Sequence, residues 1–162
     1  MGYAVLHIDK ARSNDSGNTA HIARTYTPSN VDPSRTRLNR ELVQFPANVT
    51  NRSEAIEHRI ATAGIYRKVA KNQVKALRFI LSSSPEDMAR IEQEGLLYEW
   101  CDESMDWLRS TFGADNVVAA TLHADEDTPH IHATVVPIVT GERRKAKEEA
   151  VNGKRKYKTK KN

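Results

Sequence analysis

The chain has 162 residues, 38% of them hydrophobic, and 25 Lys and Arg against 21 Asp and Glu. This is enough for one core of ordinary size and argues for a single domain. No apolar run reaches bilayer length, and Met1-Gly2-Tyr3-Ala4 lacks the basic and apolar regions of a signal peptide, so a cytoplasmic protein is expected. Cys101 is the single cysteine, which excludes a disulfide framework and a cysteine-based zinc site; a metal would have to be held by histidines and carboxylates.

Taken in chain order, residues 3–9 alternate as a strand, with Ala4, Leu6 and Ile8 on one face and Tyr3, Val5 and His7 on the other. Residues 11–18 are rich in Ser, Asn, Asp and Gly and read as a loop; residues 19–26 form a short helix carrying His21 and Arg24, and the two prolines of residues 27–35 make an extended loop. Residues 53–71 predict a helix with Asn51 or Ser53 as its cap and Gly64 as a point of interruption. Residues 74–81 are apolar and end at Ser82-Ser83-Ser84-Pro85, which marks a strand followed by a helix start with Ser84 as cap and Pro85 in the first turn. Leu97, Cys101, Ser104, Leu108 and Phe112 then recur at helical spacing, between a break at Gly95 and a stop at Gly113. Residues 116–123 and 130–138 are β-rich runs joined by a six-residue acidic loop, the pattern of an antiparallel hairpin. The expected class is α+β, a mainly antiparallel sheet with helices packed on one face and the candidate site on the other.

The charge is unevenly spread. Residues 141–162 hold ten Lys or Arg against three Glu, a net +7 that leaves −3 for the rest of a chain whose total is +4. Such an arm suits a polyanionic partner, nucleic acid most simply, although a solvated tail has the same composition.

The informative stretch is His123-Ala124-Asp125-Glu126-Asp127-Thr128-Pro129-His130-Ile131-His132. Strand parity puts His130, His132 and Thr134 on one face, and pairing His123 with His130 adds His123 and Thr121 to it. Val118, Ala120, Leu122, Ile131, Ala133 and Val135 then fall on the opposite, apolar face. Three imidazoles from adjacent strands can hold a divalent cation with positions left open; an all-nitrogen donor set suits Mn, Fe, Co, Ni or Zn better than Mg. The competing reading is of polar residues on a solvated sheet face. Asp125, Glu126 and Asp127 are turn residues by type, any one of which could serve as a base or orienting group.

These residues resemble the MobV relaxases of the Mob/Pre type, within the HUH endonucleases. The resemblance rests on His21-Ile22-Ala23-Arg24, on the loop Asp32-Pro33-Ser34-Arg35-Thr36-Arg37-Leu38-Asn39, and on His123-x-x-Glu126-x-x-Pro129-His130-x-His132. It implies a single-strand DNA endonuclease and transesterase with His123, His130 and His132 as ligands of a divalent metal, commonly manganese. It further implies His21 as nucleophile, Arg24 as a phosphate-contacting residue and Glu126 as the acid that orients or deprotonates His21, with a 5′-phosphoramidate on His21 as intermediate. The expected partner is single-stranded and hairpin DNA at an origin of transfer, for plasmid or transposon mobilisation. Residues 1–140 correspond to the catalytic domain, and residues 141–162 to a basic extension of a longer protein, which the resemblance implies to dimerise through other regions. Candidate DNA contacts are Arg35, Arg37 and Arg40, with Arg67 or Lys71 standing where the family carries a further arginine. Tyr26 is the rival nucleophile, as in a rolling-circle replication initiator. A metal-stabilised DNA-binding module without catalysis, or an enzyme that hydrolyses through metal-bound water, would share the histidine triad. His7 and His58 have no counterpart in the family.

Overall fold

The computed structural model describes residues 2–11, 16–65 and 68–139, with backbone alone at 16 and 17. The basic arm, the boundary at residue 140 and Arg67 lie outside these residues. The chain runs β1 (Ala4–Lys10), α1 (Ser16–Ile22), β2 (Arg40–Glu41), α2 (Arg52–Thr62), β3 (Leu77–Ser83), α3 (Pro85–Gln93), α4 (Leu97–Phe112), β4 (Val117–His123) and β5 (His130–Val135). The five strands form one sheet in the order β1-β3-β5-β4-β2, and every neighbouring pair is antiparallel.

Local chemistry places most of these boundaries. Asn51 caps α2 by accepting from the Glu54 amide, and Gly64, at φ +70°, ends the chain's helical course well before residue 71. Ser84 caps α3 with Pro85 in the first turn, and Gly113 stops α4. α1 begins earlier than residue 19 and ends at Ile22. β2 has only two residues, too short for a periodic signal, so nothing in the sequence predicts it.

On one face of the sheet, α3 and α4 cover a core of Phe79, Leu81, Cys101, Met105, Leu108, Leu122, Ile131, Ala133 and Val135. The hairpin has the expected register, with His123 opposite His130, Thr121 opposite His132 and Ala120 opposite Ala133. One residue departs from it. A bulge between Val117 and Ala119 inverts the parity of the strand's beginning, so that Val117, not Val118, joins the core under α4. Val118 turns to the histidine face, where it packs with Ala55 and Ile56 of α2, Ala76 and Val136. Helices α1 and α2 therefore flank the candidate site on the face opposite α3 and α4. No helix among the described residues is long and apolar enough to cross a membrane.

Candidate metal and nucleophile centre

The hairpin delivers three imidazoles to one point, with ring centroids 4.8 Å apart for His123–His132 and His130–His132 and 5.4 Å for His123–His130. Their outer nitrogens fix which lone pairs face inward. His123 Nε2 lies 2.9 Å from the carbonyl oxygen of Ile22 and donates to it, so the buried Nδ1 presents a bare lone pair, and it has no hydrogen-bond partner among the described residues. His130 Nδ1 donates to the carbonyl of Thr128 at 2.9 Å, which leaves its Nε2 facing Nε2 of His132 at 3.1 Å. An orphaned nitrogen beside two more imidazoles is what a cation site needs, because a buried acceptor without a partner is costly until something binds it. Two groups of donors, His123-Glu126-His130 and His21-His123-His132, each lie within 4.8 Å of one another. The residues present thus fit a divalent cation held by imidazole nitrogens, with the Glu126 carboxylate beside them.

Helix α1 brings the fourth imidazole. Its last turn places the His21 ring 5.9 Å from those of His123 and His132, and His21 Nε2 is 3.8 Å from Glu126 Oε1. The helix ends in a Schellman arrangement, with Thr25 N bonded to Ala20 O and Arg24 N to His21 O. The position that usually takes glycine is occupied by Arg24 at φ +52°, a left-handed conformation that costs about 1 kcal/mol or more and turns its side chain back under the helix.

There the Arg24 guanidinium is spent within the protein. Nε and Nη2 grip Asp125 at 3.1 and 2.7 Å, Nη2 also meets Glu126 Oε1 at 2.6 Å, and Nη1 donates to His21 O at 3.1 Å with His21 Nε2 3.5 Å away. The resemblance implies a phosphate contact at Arg24; the donors of its guanidinium here meet Asp125, Glu126 and the His21 carbonyl.

Asp125 is the residue that sequence reasoning undervalued. It is fully buried, and besides Arg24 it accepts from Thr36 Oγ1 at 3.0 Å and Asn39 Nδ2 at 2.8 Å, while its backbone oxygen accepts from Asp32 N. The proline-rich loop wraps the hairpin through these bonds and through Asn39 Oδ1, which accepts from Ala124 N at 2.8 Å. Burial alone would raise the Asp125 pKa, but hydrogen bonds from Arg24, Asn39 and Thr36 outweigh it and hold the carboxyl well below the usual range. Desolvation lowers the pKa of His21, with the Arg24 charge adding to it. Desolvation takes His123 down to about 4 and His132, with its imidazole neighbours, to about 2. These three rings are therefore neutral at pH 7, the form that ligates or attacks.

The remaining candidates are scattered. Arg35 donates to the Ala124 carbonyl at 2.9 Å and to Glu92 at 2.6 Å, which ties the loop to α3. Arg40 points to the opposite face, where its guanidinium lies 5.1 Å over the Tyr98 ring, so it is removed from the set facing the site. Arg37 and Lys71 are exposed. Tyr26 is 52% exposed with its ring 6.4 Å from His21. His7 shares the histidine face, through pairing with Ile80 and Ile80 with His132, but stands about 10 Å along the sheet. His58 lines a separate cleft with Pro46, Arg59 and Asp115. Arg52, 4% exposed, and Glu41 enter the neighbourhood from α2 and β2 with no sequence signal that could have marked them.

The family model described as plasmid recombination enzyme (Mob_Pre) matches residues 1–162. Among relatives, the plasmid recombination enzyme type 3 of Staphylococcus aureus is 32% identical over 162 residues, covering 95% of this chain and 38% of its own length. A 65 kDa protein of Zymomonas mobilis is 30% identical over 137 residues, covering 83% of this chain and 23% of its own. The chain thus spans less than half of these relatives. Among solved structures, the Mn-bound MobM relaxase domain in complex with plasmid pMV158 oriT DNA superposes with a TM-score of 0.75 at 24% identity, over 91% of this chain and 79% of that one. A second complex of that domain, with a 22-nucleotide DNA carrying a 3′-thiophosphate, gives 0.74 at 26% identity over 91% and 79%. The match over the full sequence and the shared antiparallel architecture lead to one assignment: this chain belongs to the plasmid recombination enzyme (Mob/Pre) family.

Proposed function

We propose that this domain nicks one strand of origin DNA by metal-dependent transesterification, forming a 5′-phosphoramidate on His21 that later allows rejoining, in the service of plasmid or transposon mobilisation. The observation that carries the reading is the placement of a neutral imidazole on α1 within 5.9 Å of two of the three rings gathered by the hairpin. His123, His130 and His132 would hold the divalent cation, manganese by analogy with the MobM complexes, which supplies charge neutralisation at the scissile phosphate.

The chain's own residues do the rest. A ring nitrogen of His21 attacks phosphorus, the P–O3′ bond breaks, and the departing 3′ oxygen takes up a proton to leave a free hydroxyl. Glu126, set by Arg24 and by Asn30 Nδ2 at 3.2 Å, stands where it can take the proton the imidazolium must lose. Arg24 and Asp125 hold both groups in position. Tyr26 lies farther out and more exposed, which favours His21 over it as nucleophile. The exposed Arg37 and Lys71, with Arg35 and Arg67, remain proposed contacts to the DNA backbone.

The test is incubation of the domain with Mn and labelled single-stranded oligonucleotides spanning the origin of its own replicon. A metal-dependent covalent adduct located on His21 by mass spectrometry is expected, lost in His21→Ala and His130→Ala. An adduct on Tyr26, or cleavage that leaves free ends on both fragments, would refute the assignment.

A further inference from the structure

Beside the centre lies a cavity of about 220 Å3 that the chemistry above does not use. Its apolar walls are Ile22, Ala23, Phe45 and Ala119, Thr50 and Asn51 also line it, and His132 belongs to both the cavity and the imidazole cluster. Two charged residues line it as well. Glu41 of β2 accepts from Thr121 Oγ1, whose oxygen is 3.1 and 3.2 Å from its two carboxylate oxygens. Arg52 of α2 donates to Thr134 Oγ1 at 2.5 Å and to Thr19 Oγ1 at 3.2 Å.

We propose that this cavity receives one base of the DNA strand, next to the scissile phosphate, and that Glu41 selects guanine there. The proposal rests on the nicking reading given above. A cavity of about 150 Å3 accepts benzene, so this one takes a ring system a step larger. Its apolar walls suit the faces of a heterocycle and its two charged residues suit the edges. Guanine alone among the four bases sets two adjacent N–H donors, N1 and N2, against a carboxylate, and it carries acceptors at O6 and N7 for an arginine. Thymine offers one donor between two carbonyls, which a carboxylate repels. Because α1 and β5 contribute to both the cavity and the centre, a base seated here holds its phosphate near His21.

The experiment is selection of a randomised 12-nucleotide single-stranded DNA library on the Mn-loaded domain, followed by sequencing, for the wild type and for Glu41→Gln. A single position of guanine preference, about tenfold or more over the other bases, is expected for the wild type. Glutamine pairs with adenine through one donor and one acceptor, so Glu41→Gln should move the preference at that position to adenine and leave the others as they were. A merely structural role for Glu41 would not produce that exchange. Replacing the selected guanine by inosine, which lacks the N2 amine, should weaken binding to the wild type about tenfold and needs no variant to fold. Sequence preferences that are the same in wild type and Glu41→Gln, or indifference to inosine, would overturn the base assignment while leaving nicking intact. A wild-type domain that retains no single-stranded DNA at all would instead remove the functional reading, and this inference with it.

Discussion

Asp125 joins the hairpin, the wrapping loop and α1, and its replacement tests that arrangement directly. In Asp125→Asn the more buried of the two carboxylates on Arg24 is gone, Glu126 alone remains to balance its charge, and an amide group must face donors from Arg24, Thr36 or Asn39. Arg24 is 9% exposed and Asp125 fully buried, so solvent screens the pair little. Removing one partner of a buried pair costs about 3–5 kcal/mol when the other charge is left uncompensated, and with Glu126 still on Arg24 the low end, about 3 kcal/mol, applies. At about 2–4 °C per kcal/mol for a domain of this size, the midpoint of thermal unfolding should fall by roughly 10 °C. The double replacement Arg24→Met with Asp125→Leu should recover much of that loss, because a buried ion pair exchanged for apolar groups of similar volume is close to neutral. It should not recover adduct formation, since Glu126 and His21 lose the group that sets them. Circular dichroism melts and adduct yield on one set of proteins separate the two effects. An Asp125→Asn midpoint within about 2 °C of wild type would show that the buried network is not what holds the loop.

The metal-free domain should weaken on acidification, because His123 and His132 have pKa values lowered to about 4 and about 2 in the fold against 6.5 in the unfolded chain. A lowered folded pKa means that stability is full above pH 6.5 and is lost as the pH falls toward the folded value. For His123 alone the shift amounts to about 3 kcal/mol, lost between pH 6.5 and 4, and melts in chelator across that range should show it. A flat midpoint from about pH 7 to 5 would contradict the burial assigned to these rings. His132→Ala should abolish measurable Mn binding by calorimetry while Lys71→Ala leaves it unchanged. On the other face, Leu108→Ala, fully buried under α4, should cost about 2–5 kcal/mol with Mn affinity retained, as the core and the site lie on opposite sides of the sheet.

Strand parity and short-range spacing are local properties, and the sequence carried them well. A period of two in the last two strands separated imidazoles from core, the six-residue loop fixed the pairing of His123 with His130, and serine, proline and glycine marked the ends of α3 and α4. The family resemblance then gave roles to His21 and Glu126 from three short stretches of sequence. Parity failed only at Val118, where a bulge shifts the count by one and no residue type announces it.

What the sequence could not decide is which distant groups share one space. Asp125 looks like any turn acid, and only the fold surrounds it with Arg24, Thr36 and Asn39, from 86 to 101 residues away along the chain. Arg24 in its left-handed conformation, Arg52 beneath the sheet and Glu41 on a two-residue strand are likewise placed by packing between elements. Hydrogen-bond partners, desolvation and the shape of a cavity depend on through-space distances of a few ångströms, which the order of residues along a chain constrains only after the sheet has closed and α1 and α2 have settled against it.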